Sequence, residues 1–194
     1  MLGQEAHKKI SLSDKLTRYE KNLLKRLSLL TLKNLFNKST DNCVSDDVIT
    51  ENLQHPRGVF VTLYSKNHEL RGCMGRVVSD KPLYKAICEV TRLAALHDSR
   101  FNPVTIEEIP DLGISISVLN EPKLVDSYKK IRLGIDGIIL KYKNRSALFL
   151  PHVATEQGWN LATTLEELSR KAGLMAHDWK SKEAKFEVFQ SIDI

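Results

Sequence analysis

The segment Arg71-Gly72-Cys73-Met74-Gly75-Arg76 sets one thiol among two glycines and two arginines. A cation beside a cysteine favours the thiolate, the form that acts as a nucleophile or redox centre. The same guanidinium groups could instead hold a carboxylate or a phosphate. A third reading needs no chemistry: Cys73 fills space as a small apolar side chain, and Arg71 and Arg76 make structural ion pairs. Spacing favours this last reading over catalysis, because residues flanking a position in a strand point to its opposite face. Gly72 and Gly75 lie inside a predicted strand. There they mark a bulge, or a place where another backbone or a ligand comes close.

A second group of polar residues follows a predicted helix, in Ala94-Ala95-Leu96-His97-Asp98-Ser99-Arg100-Phe101-Asn102-Pro103. A helix C-terminus favours a cationic His97. Asp98 could orient a histidine or pair with Arg100. A nucleophile, base and orienting acid could thus come from Cys73, His97 and Asp98. A helix cap with an Asp98–Arg100 ion pair is the plainer reading and the favoured one. A third candidate is His152 in Leu150-Pro151-His152-Val153-Ala154, between a strand and a helix, where side chains reach a cleft. His7, His55, His68 and His177 show no partner spacing.

The elements that must position these residues can be read from periodicity. Leu16, Tyr19, Leu23, Leu27 and Leu30 recur at three- and four-residue spacings and predict an amphipathic helix over 13–36. Gly58–Tyr64 and Glu69–Val78 predict a hairpin around Ser65-Lys66-Asn67-His68. Pro82 starts a helix whose buried face is Leu83, Ile87, Val90 and Ala94, ending near His97. Ile114, Ile116 and Val118 alternate with Ser115 and Ser117, a half-buried strand. Gly137–Tyr142 and Ala147–Leu150 predict a second hairpin. Leu161, Leu165, Leu168 and Ala172 line another helix that Gly173 stops. Phe186–Phe189 predicts a last strand. Hairpins separated by helices imply an α+β fold with an antiparallel or mixed sheet and packed helices. Residues 1–12 are expected to be a flexible tail, with a single domain over 13–190.

Composition narrows the class further. The chain has 194 residues, 42% hydrophobic and 27% charged, the balance of an ordinary globular domain. No apolar run reaches the roughly 18 residues of a membrane span, and the polar start carries no secretory signal. Three cysteines, Cys43, Cys73 and Cys88, without paired spacing argue against a disulfide framework. They give no zinc spacing, so no metal site is expected. A cytoplasmic, reducing compartment follows. The net charge of +5 is concentrated in residues 1–45, which hold nine Lys/Arg against four Asp/Glu. Such a stretch can meet nucleic acid, but a solvated helix face accounts for it more simply.

Taken together these segments resemble the AMMECR family. Leu70-Arg71-Gly72-Cys73-Met74-Gly75 resembles its Leu-Arg-Gly-Cys-Ile-Gly signature, with Met74 for isoleucine. Ala94-Ala95, Asp98, Arg100, Phe101 and Pro103 resemble its Ala-Ala-x-x-Asp-Pro-Arg-Phe-x-Pro segment, with Ser99 for proline. Ile114–Leu119, Leu150-Pro151-His152-Val153 with His152 for glutamine, and Lys171-Ala172-Gly173-Leu174 with Trp179 resemble further segments in the same order. The resemblance implies an α+β fold of two lobes around a cleft, with the 70–75 loop as its functional surface. It supplies no settled reaction, and the cofactor is unknown. It does imply a functional link to Memo-like and radical-SAM proteins.

Three functions follow from these residues. One is a module that binds a ligand or partner through Arg71, Gly72, Gly75 and Arg76, with Arg100 and His152 nearby. Another is a thiol-dependent enzyme with Cys73 as nucleophile. The last, and weakest, is a nucleic-acid binder using the basic N-terminal helix; aromatic residues are only 7%. The first is favoured because no base is identifiable beside Cys73.

Overall fold

The computed structural model describes residues 15–37 and 49–194; the expected tail, His7 and Cys43 lie outside them. Helix α1 spans Arg18–Lys33 and opens on a capping box: Thr17 Oγ1 accepts from the Glu20 amide at 3.2 Å, and the Glu20 carboxylate accepts from the Thr17 amide at 2.8 Å. Glu20 is buried, and it also accepts from Thr50 Oγ1 at 2.7 Å and Asn52 Nδ2 at 3.2 Å. Burial works to raise its pKa, but these hydrogen bonds outweigh burial and hold it below the usual value. They also tie α1 to the short helix α2, Glu51–Gln54. The buried face of α1 is therefore Glu20, Leu23, Leu24, Leu27, Ser28, Thr31 and Leu32. Tyr19, expected on the apolar stripe, is instead 53% exposed.

Strands β1 (Val59–Tyr64) and β2 (Leu70–Arg76) form the expected hairpin. Helix α3 (Leu83–Leu96) follows, with Pro82 just before its first turn and Leu83, Ile87, Val90 and Ala94 buried as expected. After it come β3 (Gly113–Leu119), β4 (Lys123–Val125), β5 (Gly137–Tyr142) and β6 (Arg145–Phe149). The chain closes with α4 (Val153–Glu156), α5 (Leu161–Lys171), β7 (Lys185–Phe189) and β8 (Ser191–Asp193). Gly173 ends α5 at φ +71°, a conformation that favours glycine.

The strands form two four-stranded sheets in the orders β2-β1-β3-β8 and β4-β7-β5-β6, with every pair antiparallel. The architecture is α+β, as expected, but with two sheets. On the first sheet Val59, Val61 and Leu63 alternate into a core with α1 and α3, where Ser28 and Thr91 share a buried 2.8 Å hydrogen bond. On the second, Ile138, Leu140 and Phe186 pack with Leu165 and Leu168 of α5 and with Trp179. A third cluster joins the two sheets: Phe60, Val77 and Leu119 from the first, and Ile139, Leu148, Leu150 and Phe189 from the second. Burying a side chain of this size contributes about 1.5–3 kcal/mol, so this cluster fixes how the sheets meet.

Candidate functional site

The face of the first sheet that is turned away from its helices changes character along its length. Val59, Val61 and Leu63 of β1 point into the helical core, so Phe60, Thr62 and Tyr64 point the other way. Phe60 joins the cluster between the sheets. Thr62 and Tyr64 are polar and only half-buried. Across the hairpin Phe60 pairs with Gly75 and Thr62 with Cys73, so Cys73 lies on this same face. Gly75 is required by Phe60, whose ring occupies the space a Cβ would take. Gly72 faces the helices, where a Cβ would collide with the Ala94 carbonyl of α3. Both glycines are thus places of close approach; the register slip of the hairpin falls beside them, where Arg71 has no partner on β1.

Strand β2 is an edge strand, and its free edge is covered at Cys73 by two side chains. The Asp98 carboxylate accepts the Cys73 amide N–H at 2.8 Å, and Arg100 Nη2 donates to the Cys73 carbonyl at 3.4 Å. Asp98 and Arg100 are themselves joined, Nε to Oδ1 at 2.9 Å and Nη2 to Oδ2 at 2.7 Å. The pair offers Cys73 one acceptor and one donor, as a neighbouring strand would. With its backbone groups directed outward, Cys73 forms a non-hydrogen-bonded pair with Thr62. Side chains approach closely in such pairs, and Thr62 Oγ1 donates to Cys73 Sγ at 3.2 Å. The hydrogen bonds from Arg100, then that from the Cys73 amide, hold the Asp98 carboxyl well below the usual carboxylate range. Asp98 itself is buried.

The arginines next to Cys73 in sequence do different work. Arg71 makes a bidentate ion pair with Glu108, at 2.7 and 3.0 Å, and donates to the carbonyls of Asn102 and Pro103. Its hydrogen bonds from Arg71 depress the Glu108 pKa. Arg76 pairs with Glu89 of α3 at 2.9 Å, and Lys81 shares that carboxylate. Both arginines thus anchor β2 to its surroundings. His97 and His152 are exposed. Both Asp98 oxygens are taken by Cys73 and Arg100, so the geometry gives Asp98 no contact that orients His97.

Two groups the sequence reading passed over have Cys73 among the charges that act on them. Burial, then the charges of Cys73 and Glu156, raise the pKa of Tyr64. Lys171, at the end of α5, donates to the Leu148 carbonyl of β6 at 3.0 Å, and its Nζ lies 4.8 Å from the centre of the Phe149 ring. The residue reaches solvent, yet the protein packed around it pushes its pKa down; the charge of Cys73 opposes that shift and the charge of Arg100 adds to it. The signal for Tyr64 and Thr62 was the run Phe60-Thr62-Tyr64, a strand face that turns from apolar to polar. For Lys171 it was the resemblance segment that begins with it. Among the described residues no group of three His, Cys, Asp or Glu side chains is placed to hold a metal ion. No helix among them is long and apolar enough to cross a membrane.

Two antiparallel sheets joined by an apolar cluster, with a clamped thiol on the edge strand of one, define an α+β domain with a specific local architecture around its cysteine. The chain belongs to the AMMECR1 family, whose model matches residues 26–194. A protein of Methanothermobacter thermautotrophicus is 35% identical over 182 residues, covering 91% of this chain and 94% of that one. A protein of Methanococcus aeolicus is 40% identical over 143 residues, 70% of this chain and 72% of its own. The crystal structure of an uncharacterized protein from Pyrococcus horikoshii matches with a TM-score of 0.81 at 30% identity, covering 90% of each chain. The fold and the family agree; none of these relatives' names states a reaction.

Proposed function

We propose that this chain is a binding module that receives a ligand or a partner's side chain on the Cys73 face of β2, in a cleft between two lobes. One observation carries this reading: the inter-sheet face is closed by Phe60 and Leu119 at one end, while Thr62, Tyr64 and Cys73 remain half-buried at the other. A sheet face that packs against another sheet is ordinarily apolar throughout. A polar end fits a surface kept for recognition. Arg100 is the arginine best placed to take part. Arg71, Arg76, Gly72 and Gly75 serve as scaffold, and His152 lies at the periphery beside α4.

A second reading, in which Cys73 is the nucleophile of a thiol-dependent enzyme, is favoured by one contact, the hydroxyl of Thr62 donating to the sulfur. No contact favours nucleic acid beyond the exposed Arg18, Lys25, Arg26 and Lys33 of α1. Three cysteines without paired spacing suit a cytoplasmic location. The test is peptide-mapped iodoacetamide labelling of the folded protein. Cys73 is half-buried and Cys88 is buried, so Cys73 should label first, with Cys43 followed separately. A ligand that occupies the face should slow labelling at Cys73 alone. Labelling of Cys73 no faster than that of Cys88 would remove the basis for a site there. Loss of cellular function in both Cys73→Ser and Cys73→Ala, with the fold intact, would favour the enzyme.

A further inference from the structure

Lys171 is a cation with no carboxylate against it among the described residues. Its contacts are the Leu148 carbonyl at 3.0 Å and the face of the Phe149 ring. Leu148 and Phe60 both pack against the cluster between the sheets, and Phe60 lies two residues from Thr62, the cross-strand partner of Cys73. The Lys171 ammonium, held on Leu148, thus lies on the side of the second sheet that meets the first. Arg100 holds the Cys73 carbonyl on the first, and its charge and that of Cys73 are among those acting on Lys171.

Both cations keep donors in reserve. Asp98 and the Cys73 carbonyl engage Nε and Nη2 of Arg100, and Nη1 has no hydrogen-bond partner among the described residues. One of the three ammonium hydrogens of Lys171 is used. Asp98 balances the charge of Arg100, but nothing comparable balances that of Lys171. Two like charges drawn together with donors unused are stabilised by an anion between them. The protein packed around Lys171 lowers its pKa, and the charge of Arg100 adds to that shift.

We propose that Lys171, which caps β6, and Arg100, which caps β2, form an anion subsite that takes the carboxylate or phosphate group of the ligand received at Cys73. The identity of the remaining ligand rests on the Cys73-face reading, but the subsite itself needs no sulfur.

The experiment titrates inorganic phosphate, and acetate in parallel, into the full chain at constant ionic strength, followed by amide NMR. Saturable shifts are expected around residues 73, 100, 148 and 171. Loss of one charge-assisted contact predicts an affinity roughly tenfold or more lower in Lys171→Gln. Lys171→Arg, which keeps the charge, should bind within a few-fold of the natural chain. Stronger phosphate than acetate binding points to a phosphate ester, and the reverse to a carboxylic acid. Cys73→Ala should leave the shifts in place. If the thiol reading fails, Cys73 is unreactive while phosphate still binds here; if the subsite fails, labelling is normal and the shifts are absent. Shifts that do not saturate, that gather on α1, or that are the same in Lys171→Gln overturn the proposal.

Discussion

Two of the four sheet edges, β2 and β6, solve one problem in different ways. Each presents an outward carbonyl that a side-chain cation caps: Arg100 on Cys73 and Lys171 on Leu148. On β2 the cap belongs to an ion pair, and Asp98 also satisfies the neighbouring N–H. That clamp satisfies both backbone groups of Cys73 and is balanced in charge. On β6 the cap is an ammonium over an aromatic ring, with its charge left over. An edge needs covering to prevent pairing with other chains, and either device does that. The β2 clamp holds its strand with its charge balanced, while the β6 cap carries a charge that no carboxylate among the described residues balances.

If that distinction holds, breaking the β2 clamp should cost the most stability. Arg100→Ala leaves the buried Asp98 carboxylate without its main partner. Loss of one partner of a buried pair costs about 3–5 kcal/mol, but the Arg100 side chain is 56% exposed. On the order of 2 kcal/mol is therefore expected by urea denaturation. A change below about 0.5 kcal/mol would mean that the clamp is ornamental and the two edges are alike.

The next effect is its pH dependence. The folded-state pKa of Asp98 lies below its unfolded value of about 3.9. Its stabilisation is then fully present above the unfolded value and is lost as pH falls through the folded one. The stability gap between the natural chain and Asp98→Asn should narrow steadily as pH falls below about 4. A gap that stays constant from pH 7 to pH 2 would show that charge plays no part.

Smaller still is the expected cost at β6. Lys171→Gln removes a solvent-reaching cap that has no ionic partner, and should change stability by no more than about 0.5 kcal/mol. Its consequence belongs to binding. A loss as large as that of Arg100→Ala would make Lys171 structural and erase the contrast.

Much of this arrangement was legible in the sequence. The hairpin of β1 and β2, helix α3 and the stop at Gly173 follow from alternation, helical period and glycine chemistry. Tyr19 was misassigned because Glu20 takes a buried place on α1, and no hydropathy pattern anticipates a carboxylate supplied with donors by Thr17, Thr50 and Asn52. The division into two sheets was missed because β4 and β8 are three residues each, too short for a period to show. At the site, Cys73, Asp98 and Arg100 were all singled out, but the cation beside the thiol was first sought among its sequence neighbours. Arg71 and Arg76 find Glu108 and Glu89 instead. Lys171 in the last turn of an amphipathic helix looks like a solvated complement to the helix dipole. Its seat on the Leu148 carbonyl and the Phe149 ring follows only from tertiary packing.

The proposed meeting of the two edges can be tested at the sulfur itself, by comparing Cys73 alkylation with anionic iodoacetate and neutral iodoacetamide in the natural chain and in Lys171→Gln. If Lys171 and Cys73 share one site, the iodoacetate-to-iodoacetamide rate ratio at Cys73 should fall several-fold in the variant and recover in Lys171→Arg, while the ratio at Cys88 stays constant. A ratio at Cys73 that is the same in all three proteins would separate the lysine from the thiol and contradict the account.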